Sequence, residues 1–140
     1  MNNFLDNNNL ESIQTLRDLL TCFVATNGVG IEQGYAISQK LCEEEVVWID
    51  FNASIIQSEE QKIYELLLSS SYPRGEYVAR LVSNRICRAV EQINSQGGVA
   101  FLRSLTSSND SGIRPRLLPL FGVGEKFISC YLELAGMSTD

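Results

Sequence analysis

Apolar residues at spacings of three and four run through almost the whole chain, and that period admits few architectures. The longest run is YVARLVSNRICRAVEQI (77–93). In it Tyr77, Val78, Leu81, Val82, Ile86, Ala89, Val90 and Ile93 share one side of a helix of about five turns. Gly97-Gly98 closes it, as glycine does where a helix must turn left-handed. Residues 10–27 give a second amphipathic pattern, Leu10, Ile13, Leu16, Leu19, Leu20, Phe23 and Val24, with Asn9 able to cap its start and Gly28 to end it. Residues 31–42 read as a further helix with Ile31, Tyr35, Ile37 and Leu41 apolar. SEEQ (58–61) fits a capping box ahead of Ile63, Leu66 and Leu67.

Residues 46–51 are strand-like, but no other segment offers itself as a partner strand. They are therefore read as a packed turn or short helix with Trp48 in the core. SYPRG (71–75) is a turn, VAFLRSL (99–105) a short helix, and TSSNDSG (106–112) a polar loop. Residues 113–136 give helix, hairpin, helix. The expectation is an all-α chain of six to eight helices, forming a single helical bundle or barrel domain over 1–140. A length of 140 residues can bury a core without metal or disulfide help.

The polar inventory removes several chemistries. The chain contains no histidine, which excludes Ser-His-Asp and Cys-His catalysis. Cys22, Cys42, Cys87 and Cys130 lie too far apart in sequence for a C-x-x-C metal pair, and they read as buried thiols. No apolar run approaches the roughly 18 residues of a membrane span. The first residues, MNNFLDNNNLE, lack a basic region followed by an apolar core, so a cytoplasmic location with no membrane partner is expected.

Net charge is −6, but it is unevenly spread. Residues 1–71 hold 3 Lys+Arg and 11 Asp+Glu (−8), whereas residues 72–140 hold 8 and 6 (+2). The rear-half cations are Arg74, Arg80, Arg85, Arg88, Arg103, Arg114, Arg116 and Lys126. An acidic front half and a basic rear half point in opposite directions: a protein partner for the first, a polyanion for the second. If the rear-half arginines face the same side as Gly122–Gly124, the polyanion is favoured. If they are scattered, or salt-bridged to Glu76 and Glu91, it is not.

LLPLFGVGEKFISCYLELAG (117–136) carries the most specific signal. Gly122 and Gly124 permit backbone angles closed to other residues and a close approach by another backbone. They precede a helix whose first amides have no intrahelical partner, and such amides bind phosphate. LFGVGEKFIS (120–129) resembles the L-P-G-V-G-x-K-x-x-x hairpin of the helix-hairpin-helix DNA glycosylases, the superfamily of endonuclease III and 8-oxoguanine glycosylase. LRDLLTCFVATNGVGIEQGYAISQKL (16–41) is similar to the helix that opens that family's barrel, with the turn and helix after it. YPRGEYVARLVSNRICRAVEQINSQGGVAFLRSL (72–105) is similar to its stretch leading into the hairpin.

The resemblance implies a protein that binds duplex DNA and excises bases, as a glycosylase and abasic-site lyase. It places the helix-hairpin-helix at 113–136. The amides of Gly122, Gly124 and Lys126 would hold a DNA phosphate, within a contact surface of Gly122, Val123, Gly124, Glu125, Lys126, Arg114 and Arg116. The carbonyls of Leu118, Leu120 and Val123 would hold a monovalent cation bridging to that phosphate; no other cofactor is implied. Lys126 stands at the position of the attacking amine, and Asp140 is the one acid able to take the place of the family's aspartate. Phe121 occupies the usual proline position, and Glu125 adds a negative charge beside Lys126. Asp140 follows Lys126 by 14 residues, a shorter stretch than the family has. The alternatives are a non-catalytic DNA-binding relative, and a protein-interaction domain that works through the acidic N-terminal half. A barrel without the family's further helices would also expose apolar surface, which favours a homodimer.

Overall fold

The computed structural model describes residues 7–26 and 28–138, with side chains from 9 to 136 except 27 and 110. The elements run α1 (Asn7–Ala25), α2 (Ile31–Glu43), β1 (Val47–Asp50), β2 (Ile55–Ser58), α3 (Glu60–Ser69), α4 (Gly75–Ser95), α5 (Val99–Thr106), α6 (Asp110–Leu117) and α7 (Glu125–Ser138). The chain is mainly helical, but it is not all helix. β1 and β2 form an antiparallel ribbon in which Val47 faces Ser58 and Asp50 faces Ile55. The strand-like residues 46–51 do find a partner, Ile55-Ile56-Gln57-Ser58.

Three contacts hold so short a ribbon. Asp50 Oδ1 accepts the amides of Asn52 and Ala53, closing the turn. Asn94 of α4 lies against the outer edge of β2. Its Oδ1 accepts the Ile56 amide and its Nδ2 donates to the Ile56 carbonyl, both at 2.7 Å. Thus one side chain satisfies both main-chain groups of an edge residue. At the other end, Gly98 (φ +60) brings α5 so close to the ribbon that a Cβ there would lie 2.1 Å from the Ser54 carbonyl oxygen. Ser58 belongs to β2 and donates to Cys87 Sγ, so it does not cap α3. The N-cap position is Glu59, whose side chain makes no capping bond. Trp48 is half-buried at the surface of the ribbon.

α1 is the axis of the core, with α2, α4, α5 and α7 around it. Leu16, Leu19, Leu20, Cys22, Phe23 and Val24 are buried, but so are Asn9, Ser12, Thr15, Asp18 and Thr21. Leu10, in contrast, is 49% exposed. The helix is therefore not amphipathic in the expected sense: its polar stripe, recurring every three residues, faces inward. Hydrogen bonds make this possible. Thr21 pairs with Ser38 of α2 at 2.9 Å and Thr15 with Thr106 of α5 at 2.8 Å. α7 is fixed on α1 by an edge-to-face contact of Phe23 with Phe127, ring centroids 4.6 Å apart. Within α1, Asn9 lies inside the helix rather than at its cap.

Candidate nucleic-acid interface

The turn between α6 and α7 is built by main-chain bonds. The Leu120 amide donates to the Leu117 carbonyl, and the Val123 amide to the Leu120 carbonyl at 3.2 Å. α6 starts earlier than its apolar residues suggest, because Asn109 accepts the Gly112 amide and caps it. Leu120, Phe127 and Ile128 are buried and hold both sides of the turn to the core. Between them Leu118 and Phe121 stand out at 42% and 39% exposure.

The two glycines differ. Gly122 has φ +81, and a Cβ on it would press on Cβ, Cγ and Cδ of Arg85 at 3.1–3.3 Å. Gly122 is needed both by the turn and by that approach. Gly124 is not in the left-handed region, and a Cβ there would meet nothing within 4 Å. The expectation of special backbone angles therefore holds for Gly122 alone. Gly124 opens onto free space, and its carbonyl accepts the Ile128 amide at 3.1 Å. α7 begins at Glu125. The first-turn amides of Glu125, Lys126 and Phe127 thus have no carbonyl within the helix to bond and form its electropositive end.

α4 completes the surface. Gln92 accepts the Phe121 amide at 2.5 Å and donates to the Pro119 carbonyl at 3.3 Å, so one amide side chain docks the turn onto α4. One turn earlier the Arg88 guanidinium lies over the Phe121 ring, 4.7 Å from its centroid. Arg85, one turn earlier again, lays its methylenes on Gly122. Arg85 and Arg88 therefore lie against the glycine turn, and Lys126 follows it in the first turn of α7. Arg80 is elsewhere, over Tyr64 at 3.6 Å and bonded to Gln61 at 3.0 Å on the α3 side.

The remaining expected residues fall as follows. Lys126 is exposed. Glu125 is exposed and ion-paired to Arg114, which offsets one positive charge of the cluster. Arg116 reaches back to the Gly112 carbonyl at 2.9 Å. Val123 is half-buried, Leu118 exposed and Leu120 buried. The Leu120 carbonyl already accepts the Val123 amide, so it could join a cation site only through its second lone pair. Neutral carbonyl oxygens suit a hard monovalent ion. Asp140 lies outside the described residues. Among the described residues no group of three or more His, Cys, Asp or Glu side chains is placed to hold a metal. Gln92, which orients the turn, carried no signal beyond its place one turn after Arg88.

The α1–α7 seam that carries the turn contains the most perturbed acids. Burial pushes the Cys22 thiol up, and the hydrogen bond between them holds Cys130 below its ordinary value. Of the four thiols only Cys22 is buried; the others are half-buried. Burial, with the Asp18 and Cys22 charges adding, pushes the Tyr131 phenol well above its ordinary value. An unfolded chain ionises tyrosine near its ordinary value of about 10, so the unfolded state gains from deprotonation first. Stability is expected to begin falling above about pH 8.5, where the unfolded chain ionises Cys22, and to fall more steeply above about pH 10, where Tyr131 adds to it. In thermal melts over that range, Tyr131→Phe should lose less Tm per pH unit than wild type. Parallel losses would show that Tyr131 is not the linked group.

No family model, curated protein or solved structure matches the chain.

Proposed function

We propose that this chain binds DNA, the glycine turn and the start of α7 taking a backbone phosphate and the surrounding cations taking its neighbours. The observation that carries the reading is Gly124. Neither its φ nor its surroundings require glycine, yet it sits beside the open amides of α7, with Arg85 against Gly122, Arg88 over Phe121 and Lys126 in the first turn of the helix. A phosphate could approach those amides only where no Cβ intervenes. The likeness of 120–129 to the helix-hairpin-helix glycosylases supports the same site. Under that reading a monovalent cation on the Leu118, Leu120 and Val123 carbonyls would neutralise part of the phosphate charge.

Binding without chemistry is the form favoured. Lys126 is exposed, which suits a phosphate contact. An amine that must shed its proton to attack C1′ of a sugar needs a desolvated or cationic surround instead. Trapping with borohydride on abasic-site duplex separates the two: a covalent adduct lost in Lys126→Ala would establish the lyase.

Gly124→Ala tests the carrying observation. Fluorescence anisotropy with a short duplex should show wild-type affinity falling steeply with salt. Gly124→Ala should keep the wild-type melting temperature and lose about ten-fold or more in affinity, the worth of one charge-assisted phosphate contact. Unchanged affinity in that variant would remove the phosphate from this turn.

A further inference from the structure

The ribbon has two outer edges, and they are treated differently. On β2, Asn94 meets both main-chain groups of Ile56 from outside. Ile56 faces Ile49 across the ribbon. In an antiparallel ladder the two residues of such a pair point their main-chain groups away from each other, so the N–H and C=O of Ile49 point out from β1. Among the described residues no main-chain group from outside the ribbon bonds to them. Val47, the next residue to point outward, is fully buried, so the accessible edge centres on the half-buried Ile49.

A pocket of about 220 Å³ lies beside that edge. Ile13, Leu16, Trp48, Ile49 and Phe51 give it apolar walls, with Arg17 among them. It is smaller than the small-molecule range of about 300–1,000 Å³ and suits one side chain of a larger partner. Its rim is acidic. Glu43 and Glu45 line it, and both are exposed, as is Glu44. None of these three is ion-paired among the described residues. Between Lys40 and Lys62 the chain carries Glu43, Glu44, Glu45, Asp50, Glu59 and Glu60, and no lysine or arginine. A second copy would bring the same acids to the edge, whereas a segment bearing lysine or arginine would meet them with opposite charge.

We infer that β1 takes a third strand at this edge. The occupant is an extended, basic segment of a partner protein, bonded to the Ile49 main chain, with one apolar side chain in the pocket and its cations against Glu43, Glu44 and Glu45. The inference does not rest on the DNA reading: the ribbon edge and the glycine turn share no residue, and each can fail alone.

Fluorescence anisotropy with the full chain tests it, the probe being a short labelled peptide of alternating lysine and valine. That peptide should bind saturably, and its glutamate–valine counterpart about ten-fold or more weakly at low salt. The lysine–valine peptide with every amide N-methylated cannot donate strand bonds and should also lose about ten-fold or more. In the complex, hydrogen exchange at the Ile49 amide should slow about ten-fold or more, which charge attraction alone would not cause. Ile49→Pro removes the outward N–H at an edge position that tolerates proline. It should weaken the peptide about ten-fold or more while duplex affinity stays at the wild-type level. If Ile49→Pro does not fold, the triple variant Glu43→Gln, Glu44→Gln, Glu45→Gln decides, with the same loss of about ten-fold or more expected at low salt. Absence of saturable binding by the lysine–valine peptide would overturn the inference. So would equal binding of its N-methylated form, unchanged exchange at Ile49, or full binding in the variant that folds. A dimer of the free chain dissociated by that variant would place a second copy on the edge and overturn it too.

Discussion

Gly98→Ala is expected to cost more than about 3 kcal/mol of folding stability, through backbone strain and the loss of main-chain bonds behind it. The added Cβ would lie 2.1 Å from the Ser54 carbonyl oxygen and 3.3 Å from Ile55 Cα, both backbone atoms that no rotamer change can move. Gly98 also sits at φ +60, ψ −112, a combination that only glycine adopts readily. Relief requires the ribbon turn to back away from α5. That movement stretches the contact of Val99 N–H with Ser54 O and the two bonds from Asn94 to Ile56. Each buried group left unpaired costs about 1–3 kcal/mol. At Gly97 the nearest atom to an added Cβ is the Ala100 methyl at 3.3 Å. Its substitution should therefore cost less, chiefly the strain of φ +114. Denaturant melts of both variants check the order. A loss under about 1 kcal/mol for Gly98→Ala would contradict the close approach of ribbon and α5.

The second large effect is on affinity. Arg85→Gln together with Arg88→Gln should lower duplex affinity by about 100-fold at low salt and reduce the salt slope by about two units, as expected for two lost phosphate contacts. Glutamine retains part of each aliphatic stem, so the packing on Gly122 and Phe121 is partly kept. Arg80→Gln is the control. Its guanidinium is held over Tyr64 on the α3 side, and its loss should leave affinity and slope unchanged. Equal losses from Arg80→Gln and the double variant would mean that DNA senses only net charge, not this surface.

What the sequence made legible, and what it hid, follows from distance along the chain. The helices at 77–93, 31–42 and 99–105 are set by local period, and all three form close to those limits. The ribbon was hidden because β2 is only 4 residues long and its outer edge is satisfied by Asn94, 38 residues away. The same distance misled the reading of Ser58, whose position suits a helix cap until β2 claims it. Tyr77 is counted in the apolar period of α4 but is 76% exposed, because the buried stripe runs through Ala79, Val82, Ile86, Ala89 and Ile93 and Tyr77 lies two residues off it. On α1 the spacing of Asn9, Ser12, Thr15 and Asp18 was visible, but not that the stripe points inward. Partners on other helices, Thr106 of α5 and Ser38 of α2, decide that. Gly122, Gly124, Arg114, Arg116 and Lys126 are named by local pattern, but the Arg116 guanidinium turns back to the Gly112 carbonyl. Arg85 and Arg88 are named by the sequence together with Arg80, and only the docking of the turn on α4, a contact spanning 29 residues that also brings in Gln92, separates them from it.

The most direct test of the account is a titration of isotope-labelled protein with a short duplex, following every backbone amide by nuclear magnetic resonance. Binding at the glycine turn predicts the largest shifts at Gly122 to Phe127 and smaller ones along α4 near Arg85 and Arg88. Shifts centred on Glu43 to Glu45, or no shifts at any amide, would contradict it.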